Sequence, residues 1–131
     1  MNRSRIIDAI WKETEHKVFI SKRQFVESLV GWELATKDVD GETVGAVMVK
    51  GPEFHFITFG LKKPITRTLI ADCIQPILNK HGVVRTKTPK DDFRQHRLNL
   101  LIGFIVESTD EFFTYFRMEQ FRLRGVKTCL S

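Results

Sequence analysis

Arg97-Leu98-Asn99-Leu100-Leu101-Ile102-Gly103-Phe104, followed by Phe112-Phe113-Thr114-Tyr115-Phe116-Arg117-Met118, is the stretch on which the fold turns. The first part reads as the last turns of a helix closed by Gly103, since glycine takes the helix-ending backbone without a Cβ penalty. Phe104-Ile105-Val106 then reads as a strand whose phenylalanine fills the core beneath it. Ser108-Thr109-Asp110 makes a turn, and Phe112–Met118 returns as an aromatic-rich strand.

Upstream, Thr88-Pro89-Lys90-Asp91 announces that helix, with Thr88 as cap, Pro89 at the first position and Asp91 in the first turn. Val83–Thr86 is a short strand before it. From Ile65 the apolar period is helical through Leu69, Ile70, Cys73, Ile74, Ile77 and Leu78, and His81-Gly82 stops it. Pro76 lies inside that pattern and is expected to bend or interrupt the helix. Phe54–Phe59 reads as a strand covered on both sides. Trp32–Lys37 and Thr43–Lys50 flank Asp40-Gly41, a hairpin signal because both residues tolerate positive φ. Two helices open the chain. One carries Ile6, Ile7, Ile10 and Trp11 with Ser4 as its cap; the other spans Ser21–Leu29, with Ser21 and Gln24 spaced as a capping box.

The 131 residues suffice for one core, and the reading is a single α/β (α+β) domain. Its parts are a helical N-terminal segment (1–30), a core (31–118) and a basic tail (119–131). The apolar runs are too short to span a bilayer, and the opening residues lack a secretory leader's apolar stretch. Two cysteines without CxxC spacing read as reduced thiols, which suits a cytoplasm. The net charge of +5 is uneven: residues 60–97 carry nine Lys and Arg against three Asp and Glu, and residues 31–59 carry two against five. That asymmetry permits an anionic partner. Nucleic acid is not favoured, because no aromatic-interleaved basic motif accompanies the charge.

The order hairpin, third strand, helix, strand, helix, antiparallel pair, with its Gly103-Phe104 junction, resembles the GNAT superfamily of acyl-CoA N-acyltransferases. The similarity covers roughly residues 31–118. It implies a mixed, mostly antiparallel twisted sheet with about four helices. The chain also resembles small GNAT-like proteins carried by tailed bacteriophages, which implies a host cytoplasm or a virion as its location. Acetyl-CoA or coenzyme A is the cofactor that the resemblance implies. In the family an Arg/Gln-x-x-Gly-x-Gly/Ala loop offers backbone N–H groups to the pyrophosphate at a helix N-terminus. The matching stretch here is Leu61-Lys62-Lys63-Pro64-Ile65-Thr66, before Arg67. Pro64 replaces the first glycine, removing a donor and adding a ring, and Leu61 replaces the Arg or Gln. Lys62, Lys63 and Arg67 keep the loop positive, with Ile65 and Thr66 opening the helix. Many members carry a general-acid Tyr four residues before the Gly of Gly-Phe; Asn99 stands there and has no proton to give at useful pH.

The candidate general bases are Glu53 and His55, with Glu33 behind them. His55 has the suitable intrinsic pKa, yet its alternation with Ile57 and Phe59 suits a satisfied core or cleft histidine better than a catalytic one. Arg94, His96 and Arg97 fit surface ion pairing with Asp91 and Asp92. Four histidines scattered without HxH, HExxH or cysteine partners give no metal site. Two readings follow. The first is a GNAT-fold protein with a degenerate cofactor loop, acting in binding or assembly with a protein partner or its own copy. The alternative is an active acyl-CoA-dependent N-acyltransferase with an atypical loop. No membrane is involved in either.

Overall fold

The computed structural model describes residues 2–60 and 67–119. It divides into two compact units, residues 1–50 with 54–65, and residues 51–53 with 66–131. The strands form a six-stranded, mostly antiparallel sheet in the order β1-β2-β3-β4-β6-β5, comprising β1 (Glu33–Val39), β2 (Glu42–Lys50), β3 (Glu53–Thr58), β4 (Val84–Pro89), β5 (Ile105–Thr109) and β6 (Phe113–Met118).

In the first unit, helices α1 (Arg3–Thr14) and α2 (Lys22–Ser28) precede the β1–β2 hairpin. Asn2, not Ser4, caps α1: its Oδ1 accepts from the Arg5 N–H at 3.0 Å, and Ser4 is already inside the helix. The Ser21–Gln24 capping box of α2 is present as expected. The Gln24 N–H donates to Ser21 Oγ at 3.1 Å, and the Ser21 N–H donates to Gln24 Oε1 at 2.9 Å. Asp40 and Gly41 take φ values of 51° and 79° and turn the hairpin. Ile6, Ile7, Ile10, Phe25, Leu29 and Ala46 form the buried cluster, with Trp11, Trp32, Leu34, Met48, Ile57 and Phe59 packed against it.

Gly45 in β2 is where that packing leaves no room. A Cβ there would lie 2.5 Å from the Ile57 carbonyl oxygen and 2.7 Å from the Phe56 ring. The neighbouring Val44, Ala46 and Val47 are buried, so the strand is closed in as its apolar run implies.

In the second unit, α3 (Arg67–His81) runs without a break through Pro76, and Ile70, Cys73, Ile74 and Ile77 are its buried face. Gly82, at φ 73°, follows its end. β4 and β6 pair antiparallel from Val84–Met118 to Pro89–Phe113. This ladder corrects the sequence expectation for Thr88 and Pro89. Both are strand residues, because pairing with β6 continues to the end of β4. Helix α4 (Phe93–Ile102) starts later, capped by Asp92, whose Oδ1 accepts from the Gln95 N–H at 3.2 Å. Gly103 ends α4 at φ 121°, and Phe104, only 2% exposed, enters β5. β3 meets β4 in parallel at Glu53 opposite Arg85, and the Arg85 N–H donates to the Pro52 carbonyl at 2.8 Å.

Among the described residues no helix is long and apolar enough to cross a membrane. A Gly45→Ala variant is expected to lose about 1–3 kcal/mol, because backbone of β3 must move to admit the methyl. Urea unfolding monitored by circular dichroism reads this directly, as a lower midpoint at unchanged slope.

Candidate functional site

Helix α4 ends at the Gly103-Phe104 junction, so Asn99 sits one turn before it, on the buried side of the helix. Asn99 is 3% exposed. Its Nδ2 donates to Thr88 Oγ1 on β4 at 2.9 Å, and its Oδ1 accepts from Gln95 Nε2 at 2.9 Å. The Asn99 carbonyl accepts from the Gly103 and Phe104 N–H groups, at 3.2 and 3.0 Å, which closes the helix. A carboxamide carries no titratable proton, and this one has a partner at each end. It ties α4 to β4 and holds the Gly-Phe turn in place.

The two candidate bases fall in different units. Glu53 is the first residue of β3, half-buried, in the second unit. His55, two residues on and also half-buried, belongs to the first, where its ring centroid lies 5.7 Å from that of Trp32. Lys50 Nζ stands 6.0 Å from the Trp32 ring centroid. Glu33 opens β1 and is exposed. Lys62, Lys63, Ile65 and Thr66 lie outside the described residues, as do Leu61 and Pro64. Arg67 is the first residue of α3, and its side chain too is outside them. The basic tail after Glu119 is likewise outside.

Two polar clusters on β5 and β6 escaped the sequence reading. A bulge between Val106 and Ser108 places Glu107 beside both Arg85 and Arg117, at 3.4 and 3.8 Å. At the β5–β6 turn, Asp110 Oδ1 accepts from the Phe112 and Phe113 N–H groups at 2.9 and 2.7 Å, and its Oδ2 accepts from the Tyr115 hydroxyl at 2.5 Å. The Tyr115 bond, then the two backbone bonds, lower the Asp110 pKa below the ordinary carboxylate value. The same bond, with desolvation, raises the Tyr115 pKa and makes its phenol a weaker acid. An aspartate three residues before a returning strand is a turn signal, and nothing local in the sequence marks its pairing with Tyr115.

The ion pairing expected on α4 takes another form. Among the described residues Arg94 and Arg97 reach neither Asp91 nor Asp92. His96 turns to the Pro89 carbonyl, 3.0 Å away, and packs edge-on against Phe116. In the first unit, an open groove is lined by Arg3, Ser4, Ile7, Asp8, Lys22 and Val26, with Lys22 paired to Asp8 at 2.7 Å. No group of three or more metal-ligating side chains occurs among the described residues.

Comparison with solved structures places this architecture. The chain superposes on the N-acetyltransferase PseH of Campylobacter jejuni, solved with acetyl coenzyme A, with a TM-score of 0.67. That match covers 92% of this chain and 93% of that one at 16% identity. The ribosomal-protein-S18-alanine N-acetyltransferase of Escherichia coli gives 0.66 over 97% of this chain and 96% of that one, at 10% identity. A GNAT family acetyltransferase of Elizabethkingia anophelis with acetyl-CoA bound gives 0.65 over 86% and 89%, at 16% identity. No family model matches the sequence, and no curated protein does. At these identities the likeness is one of fold: this chain has the GNAT fold.

Asn99→Leu removes both side-chain bonds while keeping the volume, and leaves Thr88 and Gln95 without their partner. A loss of about 1–3 kcal/mol is expected in chemical denaturation, with the secondary structure retained. For Asp110, whose folded pKa is depressed, the stabilisation is present above the ordinary carboxylate pKa and is lost as pH falls through the lower folded value. Tyr115→Phe deletes the largest cause, so carboxyl-detected NMR should find Asp110 titrating at higher pH. In the wild type the Tyr115 contribution stands below the free phenol's pKa and is lost as pH rises through the raised folded one.

Proposed function

We propose that this GNAT scaffold serves in binding or assembly rather than in standard acetyl transfer. The observation that carries the reading is Asn99. It stands where the resemblance puts the general acid, it has no proton to give, and its amide is already committed to Gln95 and Thr88. The sequence supports the same reading at the cofactor loop, where Pro64 and Leu61 replace residues that would approach or grip a pyrophosphate. A small GNAT-like protein of a tailed bacteriophage, working in the host cytoplasm or the virion, is the setting that this reading favours, with a protein partner or a second copy of the chain as its ligand.

A second reading has its own support, because similar folds from Campylobacter jejuni and Elizabethkingia anophelis hold acetyl-CoA. In that reading the backbone of Ile65 and Thr66 and the charges of Lys62, Lys63 and Arg67 would hold the phosphates of acetyl-CoA or coenzyme A. His55 or Glu53 would take the proton of an amine acceptor, and Asn99 would line the cofactor side. The coenzyme supplies an activated thioester when bound; the chain's own share is to orient it and to remove a proton from the amine.

Titration calorimetry with acetyl-CoA and with coenzyme A separates the two. The expected outcome is no saturable heat at millimolar ligand and no thiol release with small amine acceptors. Micromolar binding that weakens on Lys62→Ala and Lys63→Ala would sink the non-enzymatic reading.

A further inference from the structure

Strand β1 is terminal in the sheet order, so one of its two edges meets no other strand of the sheet. Its regular run is Glu33–Lys37, and the ladder to β2 shifts register only beyond it, between Lys37 and Asp38. Among the described residues the backbone of that run bonds to nothing but β2. No proline, glycine or mid-run bulge blunts this edge; what it carries is charge.

Side chains alternate across a strand, so Glu33, Ala35 and Lys37 share one face, while Leu34 packs against the α1 and α2 cluster from the other. Across the ladder Glu33 stands opposite Val49, Ala35 opposite Val47 and Lys37 opposite Gly45. Neither charge therefore has a partner on β2, and among the described residues neither forms an ion pair. Nor can they meet each other, because four residues of extended strand hold them roughly 13 Å apart. Asp38 differs: the Thr43 hydroxyl donates to its Oδ1 at 2.8 Å.

We propose that the free edge of β1 pairs antiparallel with β1 of a second copy of this chain, about a two-fold axis at Ala35. The order of the charges selects the occupant. A two-fold axis that pairs a strand with its own copy makes the pair antiparallel and is centred on a residue, since facing residues share a sheet face. Centred on Ala35, it sets Glu33 of each copy opposite Lys37 of the other. Leu34 then faces Thr36, and the two alanines, the smallest side chains of the run, meet at the axis. Centring on Leu34 or on Thr36 sets a charge opposite Ala35 instead and forms neither pair. Edge charges ordinarily repel a copy; here their order attracts one, in a single register. β5, at the other end of the sheet order, is the poorer candidate. Its bulge between Val106 and Ser108 interrupts the run, and Glu107 is already held by Arg85 and Arg117.

The inference rests on the binding reading above, to which it gives a surface and an occupant. A five-residue edge is short, so the pair belongs to the weak, reversible class. Sedimentation velocity on the full chain from micromolar to millimolar concentration tests it. The wild type should show a reversible monomer–dimer equilibrium. Glu33→Lys makes all the facing charges positive and Lys37→Glu makes them all negative, so each variant alone should dimerise at least about tenfold more weakly. Mixed in equal amounts, the two variants bring a positive edge to a negative one. They should then recover wild-type affinity as a heterodimer, which shows as well that both are folded. A chain that stays monomeric at every concentration overturns the proposal. So does a dimer that either substitution leaves unchanged, or a pair of variants that fails to recover on mixing. None of these results alters the calorimetry with acetyl-CoA, so this proposal and the binding reading fail separately.

Discussion

The bond between Asn99 Nδ2 and Thr88 Oγ1 is the constraint around which the second unit is organised. It is buried, so neither group can exchange its partner for water, and breaking it would leave two desolvated dipoles. It decides which side of α4 faces β4. Once Asn99 points inward, Ile102 follows it and the leucines must turn outward. The Asn99 carbonyl also receives the two N–H groups of the Gly103-Phe104 turn, so one residue fixes the helix's rotation, its end and the start of β5. At the position that the family resemblance assigns to a general acid stands a side chain hydrogen-bonded at both ends.

Gly45 plays the corresponding part in the first unit. Its missing side chain lets the backbone of β3 approach β2, and the hairpin can then lie under the α1 and α2 cluster. Such a contact contributes no bond of its own. Its worth is the overpacking it avoids in a closed strand.

Much of the fold was legible because its signals are local. Asp40-Gly41, the Ser21–Gln24 capping box, the Gly82 stop and the Gly103-Phe104 junction each depend on a few adjacent residues, and each appears where the sequence puts it. The Thr88-Pro89 pair departs from its local signal for the opposite reason. Taken alone it is a good helix start, but β6 offers Thr114 and Phe113 as partners, and tertiary pairing carries both residues into β4. The site was less legible. Replacement of the acid could be seen at Asn99, whereas the use of its amide depends on Thr88, eleven residues away. Tyr115 and Asp110 meet only once the hairpin closes, and Glu107 meets its arginines only through the bulge. The exposure of Leu98, Leu100 and Leu101 could not be foreseen, since their spacing would suit a buried helix equally well.

The Asn99 amide is an internal brace, and the function we propose for the scaffold is binding or assembly. A nitrogen-detected NMR titration with acetyl-CoA tests it most directly, following the Asn99 side-chain NH₂ and the first-turn amides of α3. The account predicts that the Asn99 signals stay protected and unmoved, and that the α3 amides show no saturable shift. Saturable shifts at both, with transfer of the acetyl group to an added amine, would contradict it.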